Sequence, residues 1–103
     1  MKRFESKTVL ISGGLGGMGM AIAKRLISEG ANVVLGDLAT PQAEEFAAYF
    51  GDLPHPQVVQ LDVTNEASWQ AALADVVQRH GALDVLVNNA GVVMRAALPF
   101  DEI

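Results

Sequence analysis

The sequence predicts an α/β protein in which helices cover the faces of a parallel sheet. Short runs rich in β-branched residues alternate with longer segments of helical periodicity, in the order βαβαβαβ. Right-handed crossovers between successive strands make such an order parallel. Half of the residues are hydrophobic and 18% are charged, a balance typical of a chain that buries a core. With 103 residues the chain has the usual size of one domain, and we expect a single unit over residues 1–103.

The first strand is predicted at Thr8 to Ser12, a continuous apolar run that ends in glycines, as expected for a strand buried on both faces. A helix follows and is expected to end at Gly30. Apolar residues at helical spacing form its predicted buried face: Met18, Ile22 and Leu26, with Ala23 and Ile27 alongside.

The second strand is predicted at Asn32 to Gly36. Thr40 has the character of an N-cap and Pro41 that of a first helical residue, so the second helix is expected to start there and to run to Gly51. A loop must follow, because Pro54 and Pro56 exclude regular structure around them.

The third strand is predicted at Val58 to Leu61 and the fourth at Asp84 to Asn88. Either Thr64 or Asn65 caps the helix between them, which is expected to end near Gly81. Four apolar residues are predicted to share its buried face: Trp69, Leu73, Val76 and Val77.

A glycine-rich segment joins the first strand to the first helix. Two overlapping motifs fit it: G-x-G-x-x-G at Gly14, Gly16 and Gly19, and [ST]-G-x-x-x-G-x-G at Ser12, Gly13, Gly17 and Gly19. A tight turn out of a strand needs positive φ, and a pyrophosphate that touches the backbone needs absent Cβ atoms. The helix N-terminus then supplies unpaired N–H groups. The position of the motif therefore predicts a dinucleotide-binding loop of the Rossmann type.

Asp37 ends the second strand, eighteen residues after Gly19. A carboxylate there can accept hydrogen bonds from both hydroxyls of an adenosine ribose and would repel the additional phosphate of NADP. The alternative is a simple turn or cap residue. Neither the glycine loop nor the segment after Asp37 contains a Lys or Arg that would hold a 2′-phosphate, so the sequence favours NAD.

Asp62 follows the third strand in a similar position. Its carboxylate could accept a hydrogen bond from the amino group of an adenine, because the carboxyl ends of neighbouring parallel strands meet at one edge. The sequence Asp62-Val63-Thr64 equally fits a cap of the next helix.

The fourth strand ends in Asn88-Asn89-Ala90-Gly91, which alone would fit a turn. Together with the glycine motif, Asp37 and Asp62-Val63, it closely resembles the short-chain dehydrogenase/reductase family in its non-extended branch, from about Lys7 onward. The resemblance implies a partial doubly wound, three-layer Rossmann fold with strand order 3-2-1-4. It also implies that Asn88 braces the strands.

The resemblance further implies a set of contacts with NAD. Gly13, Gly17 and Gly19 would shape the loop, with Leu15 and Met18 against the cofactor. The adenosine contacts would be Asp37 at the ribose, with Leu38, Asp62 and Val63 around the adenine. Asn89, Ala90 and Gly91 would line the ribose side.

The reaction of the family implied by the resemblance uses a Ser and a Tyr-x-x-x-Lys. The only tyrosine, Tyr49, is followed four positions later by Leu53, which indicates a packing residue. No catalytic residue is therefore predicted, and we expect the chain to stop before the catalytic half and to be inactive alone. The parent protein would be an NAD(H)-dependent oxidoreductase that interconverts a secondary alcohol and a ketone. The alternatives are a non-catalytic NAD-binding or regulatory module and a fragment that binds nothing.

Composition bears on other partners. A net charge of −5 without a basic stripe disfavours nucleic acid. The absence of cysteine and the separation of His55 from His80 give no basis for a metal site. No apolar run is long enough to span a membrane, and a cytoplasmic protein is expected. The apolar fourth strand would leave an open edge, which predicts self-association.

Overall fold

The computed structural model describes residues 4–89, so the predicted contacts Ala90 and Gly91 lie outside the described residues. Strands and helices alternate as predicted. In chain order they are β1 (Thr8–Ser12), α1 (Gly17–Ser28), β2 (Asn32–Asp37), α2 (Ala43–Phe50), β3 (Gln57–Gln60), α3 (Glu66–His80) and β4 (Val85–Asn88).

All neighbouring strands are parallel, and their order is β3-β2-β1-β4, which confirms the predicted fold class. Leu10 of β1 stands opposite Val34 of β2 on one side and Leu86 of β4 on the other. The chain moves outward from β1 to β2 and β3, and then returns past β1 to β4. This reversal creates a switch point between β1 and β4, where open α/β sheets bind ligands at the carboxyl ends of their strands.

The core has two layers, one on each face of the sheet, because successive strand residues point to opposite faces. Every residue of β1 is buried, as its continuous apolar run predicts. One layer packs β1 and β2 against α1 and α2, with Val9, Ile11, Ala23, Ile27, Val33, Leu35 and Phe50 buried. The other packs the sheet against α3, with Leu10, Val34, Leu61, Trp69, Ala72 and Val76 buried.

The predicted buried face of α1 is confirmed except at Met18, since Ile22 and Leu26 also pack partly buried against the core. Gly19, Ala23 and Ile27 are its buried residues, whereas Met18 is 70% exposed. The reason lies at Gly19, where an added Cβ would come within 2.8 Å of the Gly13 carbonyl oxygen. A helix that packs this closely against the loop turns Gly19 inward, and Met18, one position earlier, lies on the exposed side.

The predicted start of α2 is wrong by two residues. The helix begins at Ala43 with Gln42 as its N-cap, and no side chain makes a capping hydrogen bond. Thr40 and Pro41 remain in the connection, where they extend the path from β2 to the helix. The predicted end is confirmed, because Gly51 caps the helix with a φ of 57°.

Helix α3 begins as one of the two predicted alternatives requires. Asn65 is the N-cap, and its side-chain oxygen accepts a hydrogen bond from the Ser68 N–H at 3.0 Å. Gly81 ends the helix in the left-handed conformation, as predicted. Val77, predicted to be buried, is 48% exposed, and Ala72 is buried instead. Within residues 4–89 no helix is long and apolar enough to cross a membrane.

Candidate functional site

The candidate site lies at the carboxyl ends of the three central strands. Ser12, the last residue of β1, stands opposite Gly36 of β2 and Asn88 of β4. Asp37 is the next residue of β2, so the topology brings the glycine loop, Asp37 and the end of β4 to one edge of the sheet. Sequence reasoning predicted this juxtaposition from the positions of the three motifs after three strands.

The glycine loop leaves β1 through a turn that only glycine adopts easily. Gly13 has a φ of 64°, in the left-handed region. Gly14 packs against β2, because an added Cβ would lie 2.7 Å from the Leu35 Cβ. Gly17 is different: an added Cβ would meet no atom within 4 Å. The surface over Gly17 is therefore open to an external group.

The N-terminus of α1 faces this open surface. Gly16 is its N-cap, no side chain caps it, and its first turn contains no acidic residue. The Met20 N–H bonds the Gly16 carbonyl at 2.9 Å, whereas the N–H groups of Gly17, Met18 and Gly19 find no acceptor among residues 4–89. Such groups, together with the positive end of the helix dipole, favour an anion.

Asp37 links the glycine loop to the connection between β2 and α2. One carboxylate oxygen, Oδ2, accepts the Leu15 N–H at 3.0 Å, and the other, Oδ1, accepts the Ala39 N–H at 3.0 Å. The carboxylate therefore sits directly beside the loop, where the sequence predicts a ribose contact.

Ser12 joins β4 to the glycine loop, a role that the sequence analysis missed. Its buried hydroxyl donates to Asn88 Oδ1 at 3.0 Å and accepts the Asn89 N–H at 3.0 Å. Asn89 Nδ2 in turn donates to the Gly13 carbonyl at 3.2 Å. The hydroxyl at the first motif position was the available sign of this role. Asn88 and Asn89 thus both contribute to the bracing that the resemblance implied for Asn88.

Asp62 lies at the end of the neighbouring strand, but its carboxylate is used locally. Its Oδ1 accepts both the Thr64 hydroxyl and the Thr64 N–H. These two hydrogen bonds stabilise the ionised form and lower the pKa of Asp62 below its usual value. The next residue, Val63, accepts the indole N–H of Trp69 at 3.0 Å. Asn65 caps α3, so the capping alternative for Asp62 is wrong, and the carboxylate instead holds the turn at Thr64.

Exposed apolar side chains surround the site. Met18 is 70% and Leu38 63% exposed, and both are among the residues predicted to contact a cofactor. Two grooves flank the connection after β2. One of about 300 Å³ is lined by Leu38, Ala39, Thr40, Pro41, Val58 and Gln60. The other, of about 360 Å³, is lined by residues that include Leu15, Met20 and Phe46.

Tyr49 lies on α2 and not among the site residues described above. Its ring packs edge-on against Phe50 at 5.2 Å between centroids, and Lys24 Nζ lies 4.8 Å from the ring centre. These contacts fit the packing role predicted for it. In the part of the chain that the structure describes, no group of three or more potential metal ligands occurs.

Comparison with known proteins gives consistent matches. The family model described as short chain dehydrogenase matches residues 7–103. The chain is 38% identical over 92 residues to a 3-beta-hydroxysteroid dehydrogenase of Comamonas testosteroni, covering 89% of this chain and 35% of that protein. It is 44% identical to a trans-4-hydroxycyclohexanecarboxylate dehydrogenase of Sinomonas cyclohexanicum, covering 93% of this chain and 40% of that protein.

Solved structures resemble the fold closely. A short chain dehydrogenase from Mycobacterium smegmatis superposes with a TM-score of 0.77 at 35% identity, covering 89% of this chain and 40% of that one. An NADH-dependent reductase complexed with NAD superposes with a TM-score of 0.76 at 31% identity, covering 88% of this chain and 38% of that one. The chain thus spans well under half the length of the proteins that it matches.

Proposed function

Because the chain belongs to the short-chain dehydrogenase family, we propose that it is the cofactor-binding part of an NAD(H)-dependent oxidoreductase that interconverts a secondary alcohol and a ketone. The observation that carries the proposal is the placement of the Asp37 carboxylate beside the uncapped N-terminus of α1. A dinucleotide needs both features at once, a carboxylate for its ribose hydroxyls and free N–H groups for its pyrophosphate.

The described residues fit NAD in charge and in shape. The N–H groups at the start of α1 would hold the pyrophosphate, over the space that Gly17 leaves open. Leu38 would cover one side of the adenine, and Val63 with Asp62 would border the other. Met18 and Leu38, both exposed, would lose apolar surface from water on binding. NAD would supply the chemistry as the acceptor or donor of a hydride.

NAD is proposed over NADP on electrostatic grounds. The Asp37 carboxylate would face a 2′-phosphate of the same sign, and residues 12–19 and 38–45 contain no Lys or Arg to compensate. The structural neighbour that is NADH-dependent and complexed with NAD supports the same choice.

The substrate proposal follows the named relatives. A hydroxysteroid dehydrogenase and a hydroxycyclohexanecarboxylate dehydrogenase are both named for hydroxylated substrates, which supports an alcohol and ketone pair here. Hydride transfer to a carbonyl needs a proton donor at the developing alkoxide. Tyr49 has no lysine four positions later, so we assign that donor to a catalytic part beyond residues 1–103 and expect this segment alone to be inactive.

We also propose a cytoplasmic location for the protein.

Self-association is proposed through the edge of β4. This strand pairs with β1 on one side, and no strand of residues 4–89 pairs with its other side. Val85 and Val87 are partly buried residues of this edge. An unpaired apolar strand edge is a template for association, and light scattering that finds only monomer at high concentration would contradict this proposal.

Cofactor titration tests the proposed function. We expect the protein to bind NADH with a Kd at least roughly tenfold below that for NADPH, measured by the fluorescence of the reduced nicotinamide. Gly17→Val should fold normally, because its side chain enters open space, but should weaken NADH binding by roughly tenfold or more. Asp52→Ala, at an exposed loop position, is the control and should bind as the wild type does. Absence of NADH binding, or a preference for NADPH, would refute the proposal.

A further inference from the structure

We propose that Asp37 is also the positioning residue of the glycine loop, so that it organises the loop before any cofactor binds. Its carboxylate accepts the N–H of Leu15 through Oδ2 and the N–H of Ala39 through Oδ1, both at 3.0 Å. Leu15 precedes α1 and Ala39 follows β2, so one side chain joins two connections that are far apart in sequence.

The other hydrogen bonds of the loop do not involve the Leu15 N–H. The Gly14 N–H donates to the Gly36 carbonyl at 3.2 Å, and the Gly16 N–H donates to the Gly13 carbonyl at 3.2 Å. Leu15 lies between these two anchors, and Asp37 is the acceptor of its N–H. Hydrogen bonds to an ionised acceptor are stronger than those between neutral groups. The middle of the loop is therefore held by a charge rather than by the backbone.

The same hydrogen bonds also provide the partners of the Asp37 carboxylate. The ion pairs found within residues 4–89 join Arg25 with Glu29 and Arg79 with Asp75, and neither involves Asp37. Backbone N–H groups thus take the place of a basic partner. A carboxylate has about four acceptor positions on its two oxygens. With two of them bonded to N–H groups, two remain, which matches the two hydroxyls of a ribose.

This arrangement has a consequence for cofactor preference, which rests on the proposed function. If Asp37 acted only by repelling a 2′-phosphate, its removal would improve NADPH binding. Because it also holds Leu15, its removal frees the loop on which the pyrophosphate of either cofactor must lie. Substitution of Asp37 alone therefore weakens NADH binding and brings no gain for NADPH.

Amide hydrogen exchange of the ligand-free protein tests the positioning role directly. In Asp37→Ala, exchange at the Leu15 and Ala39 amides should accelerate by roughly tenfold or more, while the β1 amides (Thr8–Ser12) keep their protection and report that the protein is folded. Asp37→Asn retains one acceptor oxygen and should deprotect mainly one of the two amides. Asp52→Ala removes the same charge at an exposed site and should change neither.

Titration of the same variants with NADH and NADPH completes the test. Asp37→Ala should lose roughly tenfold or more in NADH affinity and should gain none for NADPH. Two results would overturn the proposal: unchanged exchange at Leu15 in Asp37→Ala, or an NADPH affinity that rises roughly tenfold or more in that variant. If the wild type binds neither cofactor, the proposed function fails, whereas the exchange measurements on ligand-free protein still decide the positioning role.

Discussion

Removal of the Ser12 hydroxyl is the most informative single change for the coupling between β4 and the glycine loop. The side chain is completely buried, and its oxygen accepts the Asn89 N–H while its proton goes to Asn88 Oδ1. Ser12→Ala leaves the Asn89 N–H without this acceptor and removes the donor to Asn88. Asn89 is half-buried and Asn88 exposed, so each lost hydrogen bond should cost its net contribution of about 1 kcal/mol, and the free energy of unfolding should fall by about 2 kcal/mol in all.

Urea unfolding of the wild type, Ser12→Ala and Ser12→Thr measures this effect. Ser12→Thr keeps the hydroxyl in a strand position that suits a β-branched residue, so it should retain most of the stability that Ser12→Ala loses. NADH affinity should also fall in Ser12→Ala, because Asn89 positions the Gly13 carbonyl. A loss below about 0.5 kcal/mol in Ser12→Ala, within the range of ordinary surface changes, would refute the account of Ser12.

Three further predictions concern Gly19, Met18 and Asp62. Gly19→Ala should destabilise the protein by about 1–3 kcal/mol in urea unfolding, because its Cβ would lie 2.8 Å from the Gly13 oxygen; equal stability would contradict this packing. Met18→Glu adds an acid to the first turn of α1, which should preserve or raise the melting temperature. The same change should weaken NADH binding relative to Met18→Gln, because the added charge repels the pyrophosphate. Equal NADH binding by the two variants would argue against a pyrophosphate at this helix end. Asp62 has a lowered pKa, so its ionised form stabilises the fold above the usual pKa of 3.8 and this contribution is lost as the pH falls through the folded-state pKa. The stability difference between wild type and Asp62→Asn should therefore be present at neutral pH and diminish in acid, and a difference independent of pH would contradict the assignment to Thr64.

The strands were predictable because a strand that is buried on both faces has a continuous apolar sequence. The run at Thr8–Ser12 is apolar throughout, and the structure buries all of it. Helix faces were harder at their ends, since the sequence analysis counted only apolar side chains at helical spacing. At α1 the closest approach is made by Gly19, which has no side chain, and Met18 beside it is exposed. The spacing of side chains does not reveal where two backbones touch.

The positions of the candidate site residues in the fold were predictable, but their hydrogen bonds were not. Sequence position placed Asp37 at a strand end beside the loop, and the structure agrees. It could not show that the carboxylate already holds Leu15, because that contact depends on how far the loop folds back over β2. For Asp62 the sequence analysis left open a cap of the next helix, whereas Asn65 is the cap and Asp62 makes a local side-chain to backbone hydrogen bond with Thr64.

The structure also separates the two overlapping glycine motifs by the reason each glycine is needed. Gly13 is required by its φ of 64°, and Gly19 by its contact with the loop backbone. Gly16 makes only an ordinary contact, 3.5 Å from an added Cβ to the Gly13 oxygen, so the fold does not demand glycine there. Gly17 has neither positive φ nor a neighbour within 4 Å, and the fold gives no reason for its presence. The fold needs Gly14 as well, because its added Cβ would lie 2.7 Å from the Leu35 Cβ, so each register contains two glycines that the fold needs. The registers therefore differ in Gly17 against Gly16. Glycine in a helix is costly in conformational entropy, and the close approach of the proposed pyrophosphate would explain Gly17, which favours the [ST]-G-x-x-x-G-x-G register.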